Sequence, residues 1–321
     1  MKAIVQDAYG SADVLALREI ERPDIRDDEV RIRVVAAGVD RGALHLMTGV
    51  PYLMRALGVG LRAPKTRVPG TNVAGHVDAV GKDVTRFRPG DDVYGTCKGA
   101  FAEYARAREE QLAPKPANLT FEQAAGIPHG GFSALQALRD HGNVQPGQSV
   151  LIVGASGAVG SMAVQLAKAF GAQVTGVCST ANVDMVRALG ADHVVDYTRD
   201  DFAEGAPYDL ILDTGGNNPL GRLRRALTPK GTLVIVGGEG GGRWTGMGRQ
   251  VRALALSPFV SQKLRTFVAK PNTPDLLVLN EHIESEKVTP TVARTYALRD
   301  TPDAVRDLET GRTRGRIIIT V

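Results

Sequence analysis

The stretch from Ser149 to Lys168 constrains the fold of this chain more than any other part of its sequence. An apolar run with the character of a buried strand leads into a glycine-rich turn, and a helical pattern follows the turn. This order is typical of the first strand–turn–helix unit of a dinucleotide-binding domain. We therefore predict a phosphate-binding turn that consists of Gly154, Ala155, Ser156, Gly157, Ala158, Val159 and Gly160.

Two physical properties of this turn support the prediction. Gly157 and Gly160 have no Cβ, so the backbone can approach a pyrophosphate and the helix can pack closely on the strand. The helix begins at about Ala158, where its N–H groups and its positive dipole end face the phosphates. A glycine turn with a purely structural role is the alternative, and the strand and helix patterns on either side weigh against it.

The rest of the same region alternates between apolar strands and helices. Strands are expected at residues 149–153, 173–178, 192–196, 208–213 and 231–236. Apolar strands that alternate with helices favour a parallel sheet that is covered on both faces. The region is thus predicted to be an α/β, doubly wound domain.

The end of the second strand bears on the choice of coenzyme. Sites that prefer NAD usually carry Asp or Glu there, to accept a hydrogen bond from the ribose 2′-hydroxyl. Here Ser179, Thr180 and Asn182 follow the strand, and Arg187 and Arg199 lie near in sequence. These residues can donate to a 2′-phosphate, which predicts NADP (NADPH) over NAD. The alternative is that Ser179 and Thr180 only cap the next helix.

The two ends of the chain have a different texture. Residues 1–122 contain short alternating patterns broken by Gly and Pro, which is typical of a compact, mostly antiparallel β domain. At Thr120 the pattern becomes helical, and a β pattern returns after about residue 285. We predict one domain from residues 1–122 and 286–321, and a dinucleotide-binding domain, residues 123–285, inserted within it.

Composition excludes several classes of function. The net charge is only +4 over 321 residues, and the arginines are spread along the chain, so no nucleic-acid partner is expected. Cys97 and Cys178 lie far apart in sequence, which favours a reducing compartment over a disulfide framework. Because no apolar run reaches the roughly 18 residues of a membrane span, we expect no membrane partner and a cytoplasmic protein.

The order of these features resembles the medium-chain dehydrogenase/reductase superfamily. The resemblance rests on residues 90–95 and 99–104, on the glycine turn, on Asp196-Tyr197 and on Gly315-Arg316, and it extends over essentially the whole chain. The motifs are most similar to the zinc-independent quinone oxidoreductase branch. This resemblance implies a Rossmann sheet inserted in a GroES-like, mostly antiparallel β catalytic domain.

The residue types argue against a metal in the active site. Catalytic zinc in the resembled superfamily needs a Cys, a His and a further Cys or carboxylate. The corresponding segments here are residues 38–42 and 70–72, His76 is out of register, and two cysteines cannot form a four-cysteine zinc lobe. Hydrogen-bond donors must then polarise the substrate oxygen, which favours quinones and α,β-unsaturated carbonyls over simple alcohols.

The resemblance also implies residues of the catalytic site. Asp40 stands where the family usually carries Asn near the nicotinamide, and it could alter polarity or supply a proton. Tyr52 falls close to the family's active-site tyrosine and could donate to the substrate oxygen. His45 and His129 are further candidates for an acid, with a purely structural role as the alternative for each.

Further coenzyme contacts follow from the same resemblance. It implies that coenzyme-binding residues outside the turn include Ser133, Tyr197, Gly215, Gly237, Gly238 and Arg316. For Arg316 the alternative is a solvated charge on the last strand. The resemblance also implies a homodimer, and an edge strand near residues 264–268 gives a physical reason for one.

These observations predict an NADPH-dependent oxidoreductase that acts on a small quinone or enone. Two alternatives stay open at the level of sequence. One is a reductase or dehydrogenase of ordinary carbonyls and alcohols. The other is a non-catalytic NADPH-binding protein, since a fold does not fix a function.

Overall fold

A computed structural model describes residues 1–215, 218–236, 242, 244, 246–311 and 315–321, apart from the side chain of Leu57. The chain forms two compact units. Unit 1 comprises residues 1–129, 271–284 and 290–321, and unit 2 comprises residues 130–270 and 285–289. Strands and helices are numbered along the chain.

Unit 1 is built around a mostly antiparallel sheet. Its strands are β1 (Lys2–Val5), β2 (Ala16–Glu19), β3 (Glu29–Val39), β4 (Asn72–Val80), β5 (Asp92–Thr96), β6 (Tyr104–Arg108), β7 (Leu112–Pro114), β14 (Val292–Ala297) and β15 (Arg316–Thr320). The main sheet has the order β14-β15-β3-β4-β5-β7, β6 also pairs with β3, and β1 pairs with β2 separately. Every pair is antiparallel except β14 with β15. This architecture confirms the predicted mostly antiparallel β domain.

The core of unit 1 follows from the alternation along its longest strand. In β3, Val30, Ile32 and Val34 are buried, while Arg31 and Arg33 between them point away from the core. The helices of unit 1 are α1 (Arg41–Thr48), α2 (Phe121–Ala125), α8 (Thr273–Glu284) and α9 (Thr301–Thr310). α2 begins with the expected capping box, in which Thr120 and Gln123 exchange side-chain to backbone hydrogen bonds.

Helix α8 belongs to unit 1, whereas the sequence analysis assigned its residues to the inserted region. The reason is a set of polar contacts that its sequence pattern does not reveal. Thr273 Oγ1 donates to the carbonyl of Leu112 at 2.8 Å, and Asn280 Nδ2 donates to that of Pro114 at 3.0 Å. The buried Tyr94 hydroxyl donates to Asn280 Oδ1 at 2.6 Å. These bonds fasten α8 to β5 and β7.

Unit 2 contains the predicted parallel sheet. Its strands are β8 (Ser149–Val153), β9 (Gln173–Cys178), β10 (His193–Asp196), β11 (Tyr208–Asp213), β12 (Leu227–Ile235) and β13 (Lys263–Thr266), in the order β10-β9-β8-β11-β12-β13. All of these pairs are parallel. The helices of this unit are α4 (Ala158–Ala169), α5 (Val183–Ala188), α6 (Leu220–Arg225) and α7 (Gly248–Leu256), and α3 (Pro128–Gln136) begins in unit 1 and ends in unit 2.

The sheet order identifies the edge at which a ligand is expected. From β8 the chain proceeds outward through β9 and β10, and it then returns to the other side of β8 to form β11. The order therefore reverses between β8 and β11. In doubly wound sheets, ligands bind outside the carboxyl ends of the strands at such a reversal point. The glycine turn follows the carboxyl end of β8 and lies at this point.

Candidate active site

The glycines of the turn after β8 differ in how much space is free where a side chain would begin. Gly154 has a φ of +81°, and a Cβ there would lie 2.6 Å from Thr214 Oγ1. A Cβ on Gly160 would overlap the carbonyl oxygen of Gly154, so this glycine lets α4 pack against the turn. Among the described residues, a Cβ on Gly157 would meet only the carbonyl oxygen of Gly154, at 3.3 Å. Gly157 thus borders an open cradle.

This cradle fits a phosphate group. Gly157 is the N-cap residue of α4 and has no side chain that could accept from the first turn. The first-turn N–H groups of a helix lack partners within the helix, and its dipole places partial positive charge there. Open space beside such a helix start suits the negative charge of a diphosphate. Residues 154–160 would hold it, with their backbone facing its oxygens.

The end of β9 has an acidic neighbour that the sequence analysis missed. Asp196 ends β10 and lies in register with Cys178, the last residue of β9. Its carboxylate accepts from Thr180 Oγ1 at 2.5 Å and from Thr198 Oγ1 at 2.8 Å. The bond from Thr180 lowers the pKa of Asp196, which is therefore ionised at neutral pH. The parallel pairing of β9 with β10, which places Asp196 beside Cys178, could have revealed this acidic neighbour.

The three predicted donors for a 2′-phosphate are consequently unequal. The hydroxyl of Thr180 donates a hydrogen bond to Asp196. Asn182 Nδ2 donates to Ser179 Oγ at 3.1 Å, which leaves the hydroxyl proton of Ser179 for another acceptor. Neither Ser179 nor Asn182 caps a helix through its side chain. Of the three, Ser179 is the side chain best placed to donate to a ligand.

The other predicted coenzyme residues are spread over several elements. Ser133 is buried in α3, and Tyr197 is exposed directly after β10, where its N–H donates to the carbonyl of Cys178 at 3.1 Å. Gly215 follows Thr214, whose hydroxyl donates to Val153 at 2.7 Å beside the turn. Gly237 and Gly238 lie outside the described residues. A contact of these residues with a coenzyme stays a prediction.

Asp40 is buried in unit 1, at the start of α1. Its Oδ1 accepts from the backbone N–H of Ala43 at 2.7 Å, so it is the N-cap residue of the helix. Its Oδ2 accepts from Asn72 Nδ2 at 2.6 Å. The Asn72 Oδ1 atom is buried, and no hydrogen-bond partner for it occurs in the described structure. Both oxygens of Asp40 therefore accept from N–H donors of the same unit.

A histidine and a buried arginine lie close to this carboxylate. His129 Nδ1 is 3.9 Å from Asp40 Oδ2, and its ring packs against Gly42. Arg316 donates to the carbonyl of Gly126 and is buried, so the alternative of a solvated charge on the last strand is wrong. Burial lowers the pKa of Arg316 to about 10, against the opposing effect of Asp40, and the guanidinium remains charged at neutral pH.

Tyr52 belongs to a different cluster of unit 1. The guanidinium of Arg55 lies 4.8 Å from the ring centroid of Tyr52 and 4.2 Å from that of Tyr9. Arg55 is fixed in turn by the carbonyls of Gly49 and Thr48, to which it donates at 2.8 and 3.1 Å. The ring of Tyr52 thus packs on Arg55, whereas the carboxylate of Asp40 contacts Asn72 and lies near His129.

The remaining polar candidates have structural partners. His45 Nδ1 lies 2.8 Å from the carbonyl oxygen of Val50. His76 Nδ1 lies 2.7 Å from Asp92 Oδ1, and its ring contacts Phe121 edge to face. Cys97 and Cys178 are buried free thiols, and burial raises the pKa of Cys178 to about 11. The described residues contain no group of three His, Cys, Asp or Glu side chains that could hold one metal ion.

Comparison with known proteins places the chain in a family. Residues 26–117 match the model of the alcohol dehydrogenase GroES-like domain, and residues 189–319 match a model described as zinc-binding dehydrogenase. A quinone oxidoreductase from Coxiella burnetii has a similar structure, with a TM-score of 0.86 and 28% sequence identity, over 100% of this chain and 99% of the other. In the described residues, no helix has the length and apolar character needed to cross a membrane.

Two sequence relatives from plants support the same family relationship. The chain is 33% identical to the 2-methylene-furan-3-one reductase of Solanum lycopersicum, over 99% of this chain and 79% of the relative. It is 34% identical to the chloroplastic NADPH-dependent alkenal/one oxidoreductase of Arabidopsis thaliana, with the same coverage. The chain therefore belongs to the medium-chain dehydrogenase/reductase superfamily, in its quinone oxidoreductase-like branch.

Proposed function

We propose that this protein is an NADPH-dependent oxidoreductase that transfers a hydride to quinones or α,β-unsaturated carbonyls. The observation that carries the proposal is the open cradle at Gly157, at the reversal point of a doubly wound sheet. A non-catalytic role is disfavoured, because the two plant relatives are named as enzymes, a 2-methylene-furan-3-one reductase and an NADPH-dependent alkenal/one oxidoreductase.

The preference for NADPH is supported by the residues after β9. Ser179 keeps a hydroxyl proton for an acceptor, and Arg199 is an exposed cation beside Asp196, with its Nε 3.7 Å from Oδ2. Asp196 Oδ1 accepts from Thr198 and Oδ2 accepts from Thr180, and the cation of Arg199 offsets the negative charge of this carboxylate. These contacts favour a 2′-phosphate over a free 2′-hydroxyl.

The substrate side of the reaction needs hydrogen-bond donors. Bound NADPH supplies the hydride, and the oxygen that gains charge must be stabilised by the chain. We assign this donor role to the hydroxyl of Tyr52, whose ring is held by Arg55. Asp40 caps α1 and orients Asn72 and is therefore assigned to positioning. No step is assigned to a metal, because Asp40 is surrounded by an amide, one imidazole and one backbone N–H, and the described residues bring no three His, Cys, Asp or Glu side chains together.

The proposal is tested by NADPH consumption with a panel of quinones, enones, saturated aldehydes and ketones, and with NADH in parallel. We expect turnover of the quinones or enones with NADPH and little turnover of the saturated carbonyls. Turnover confined to saturated carbonyls would favour an ordinary carbonyl reductase. NADPH binding without consumption of any substrate would favour a non-catalytic protein.

A further inference from the structure

A polar cavity of unit 2 lies at the edge of the sheet where β8, β11 and β13 begin, opposite the glycine turn. It has a volume of about 270 Å³. Its lining residues are His141, Gly142, Asn143, Gln145, Gln148, Asp209, Thr228, Lys230, Gly231, Thr232, Lys263 and Arg265. The length of β8 separates this edge from the turn by roughly 15 Å, at about 3.3 Å per residue. The cavity is therefore distinct from the site proposed for the coenzyme.

The lining of this cavity is polar throughout. Every lining residue in the described part of the chain is charged or polar or is a glycine. Sites for apolar ligands are lined mostly by apolar and aromatic side chains, so this cavity does not suit the quinones or enones of the proposed reaction. A water molecule occupies about 30 Å³ in the liquid, so the cavity has room for about nine waters or one ligand of that size. Its ligand is thus expected to be small and hydrophilic.

Strand alternation gathers three cations at this cavity. Lys263 and Arg265 are separated in β13 by the buried Leu264, so their side chains lie on the same face of the sheet. Lys263 is in register with Thr232 of β12, which follows Lys230 by two residues. Lys230, Lys263 and Arg265 form no ion pair or side-chain hydrogen bond with any residue that the structure describes. All three are exposed, so a ligand from solvent can reach them.

One carboxylate and one imidazole complete the titratable groups of the lining. Asp209 Oδ2 accepts from the N–H of Ser149 at 3.0 Å, and the three cations exceed this single carboxylate by two positive charges. The ring of His141 stacks on that of Phe267, with 4.2 Å between the centroids. Burial lowers the pKa of His141, against the opposing effect of Asp140, so its imidazole is neutral at neutral pH. A neutral imidazole can donate one N–H to a ligand.

The charge of the cavity indicates the class of its ligand. A concave surface with an excess of one charge concentrates ions of the other sign, and Arg and Lys both bind phosphate. An excess of two positive charges matches the dianion of a phosphate ester at neutral pH. We propose that this cavity binds a small hydroxylated phosphate ester, such as a sugar phosphate, with its phosphate at Lys263 and Arg265 and a hydroxyl that donates to Asp209 Oδ1. The inference does not depend on the proposed function.

Calorimetric titration with inorganic phosphate, glucose 6-phosphate and glucose tests this assignment. The titrations are made in the presence of saturating NADPH, because phosphate can also bind at the helix start beside the glycine turn. We expect both phosphates to bind, glucose 6-phosphate more tightly than inorganic phosphate, and glucose not to bind.

A pair of matched double variants locates the phosphate. Lys263→Gln with Arg265→Gln removes two cations at exposed positions and should weaken glucose 6-phosphate at least about 10-fold, as for the loss of one hydrogen bond to a charged donor. Arg252→Gln with Lys287→Gln is the control, because both are exposed cations of unit 2 outside the cavity and the net charge changes equally. The control should leave the affinity unchanged.

A third variant tests the hydroxyl contact. Asp209→Asn can keep the hydrogen bond from Ser149, but it replaces the second oxygen by an NH₂ group and removes one negative charge. We expect it to retain inorganic phosphate and to lose the preference for glucose 6-phosphate. A preference that persists in folded Asp209→Asn would exclude the hydroxyl contact.

The inference is overturned if the NADPH-saturated protein binds neither phosphate, if it binds inorganic phosphate more tightly than glucose 6-phosphate, or if the control pair weakens binding as much as the cavity pair. A protein that does not bind NADPH would contradict the proposed function alone, because the cavity variants locate the phosphate with or without coenzyme.

Discussion

At the scale of single residues, glycines of one turn have separable roles. Gly160 is required by packing, because any Cβ would overlap the carbonyl oxygen of Gly154, whereas Gly157 has open space beside it. The glycine pattern in the sequence marks both Gly157 and Gly160 as residues of the turn. It cannot distinguish them, since the distinction depends on where the helix axis passes relative to the turn.

A pair of variants should separate these two roles. Gly157→Val places a branched side chain in the cradle, so we expect loss of NADPH binding with the fold retained. Gly160→Ala forces α4 away from the turn and should lower the free energy of unfolding by about 1–3 kcal/mol. Calorimetric titration and thermal unfolding measure the two effects. Retained NADPH affinity in folded Gly157→Val would remove the basis of the site assignment.

The catalytic assignment is also testable at single residues. If Tyr52 donates to the developing oxyanion, Tyr52→Phe should lower kcat and kcat/KM together by about 10²–10³-fold and leave NADPH affinity unchanged. Asp40→Asn should be tolerated, because Asn also caps helices and the amide of Asn72 can turn so that its unpaired Oδ1 accepts from the new side chain.

Steady-state kinetics of both folded variants decide between the two residues. Full turnover in Tyr52→Phe together with its loss in Asp40→Asn would transfer the donor role to Asp40. The sequence marks both positions only through family resemblance. It does not reveal that Asp40 is the N-cap residue of α1, although an Asp before a helical pattern is a recognised cap signal.

At the scale of elements, strand patterns were the most predictable feature of the chain. The observed bounds of β8, β9 and β11 equal the predicted ones, because each is a buried apolar run that ends at a turn. β12 begins at Leu227, earlier than expected. The sequence predicted a later start, because Pro229, Lys230 and Gly231 interrupt the apolar pattern. The position of α8 was not predictable, because it depends on hydrogen bonds to β5 and β7 that are distant in sequence.

The residues at the ends of β9 and β10 are those proposed to set the preference for NADPH. Ser179→Asp would place a second carboxylate beside Asp196, where it would repel a 2′-phosphate and accept from a free 2′-hydroxyl. We expect the ratio of the dissociation constants for NADPH and NADH to rise at least about 10-fold, as for one unfavourable charged contact. An unchanged ratio in Ser179→Asp would show that Ser179 does not line the site.

At the scale of the whole molecule, the discontinuous arrangement of the chain was predictable in outline. Unit 1 contains both ends of the sequence, and the residues of unit 2 come between these ends along the chain. The return of a β pattern after residue 285 indicates this, because β15 pairs with β3 in an antiparallel ladder. The edge strand near residues 264–268 was expected from the sequence, whereas the apolar surface that stays exposed beside it after folding was not.

The uncovered surface of unit 2 predicts a homodimer. β13 is an edge strand that pairs only with β12 in the described sheet, and large apolar side chains flank it. Phe259 is 84% exposed and Val268 is 80% exposed, on the two sides of this strand. An open edge with exposed apolar neighbours is unfavourable in a monomer and suits a second copy of the same chain, paired about a twofold axis.

Light scattering at micromolar protein should give about twice the chain mass of 34.1 kDa. Phe259→Glu with Val268→Glu places like charges on both copies of a twofold interface, so this variant should be a monomer that still binds NADPH. Leu61→Glu is the control, because Leu61 is a similarly exposed apolar residue of unit 1 (74% exposed) and its replacement should leave the mass unchanged. A monomeric wild-type protein, or a dimeric double variant, would exclude the β13 edge as the interface, because two glutamates on each copy cannot be accommodated in a twofold contact at that edge.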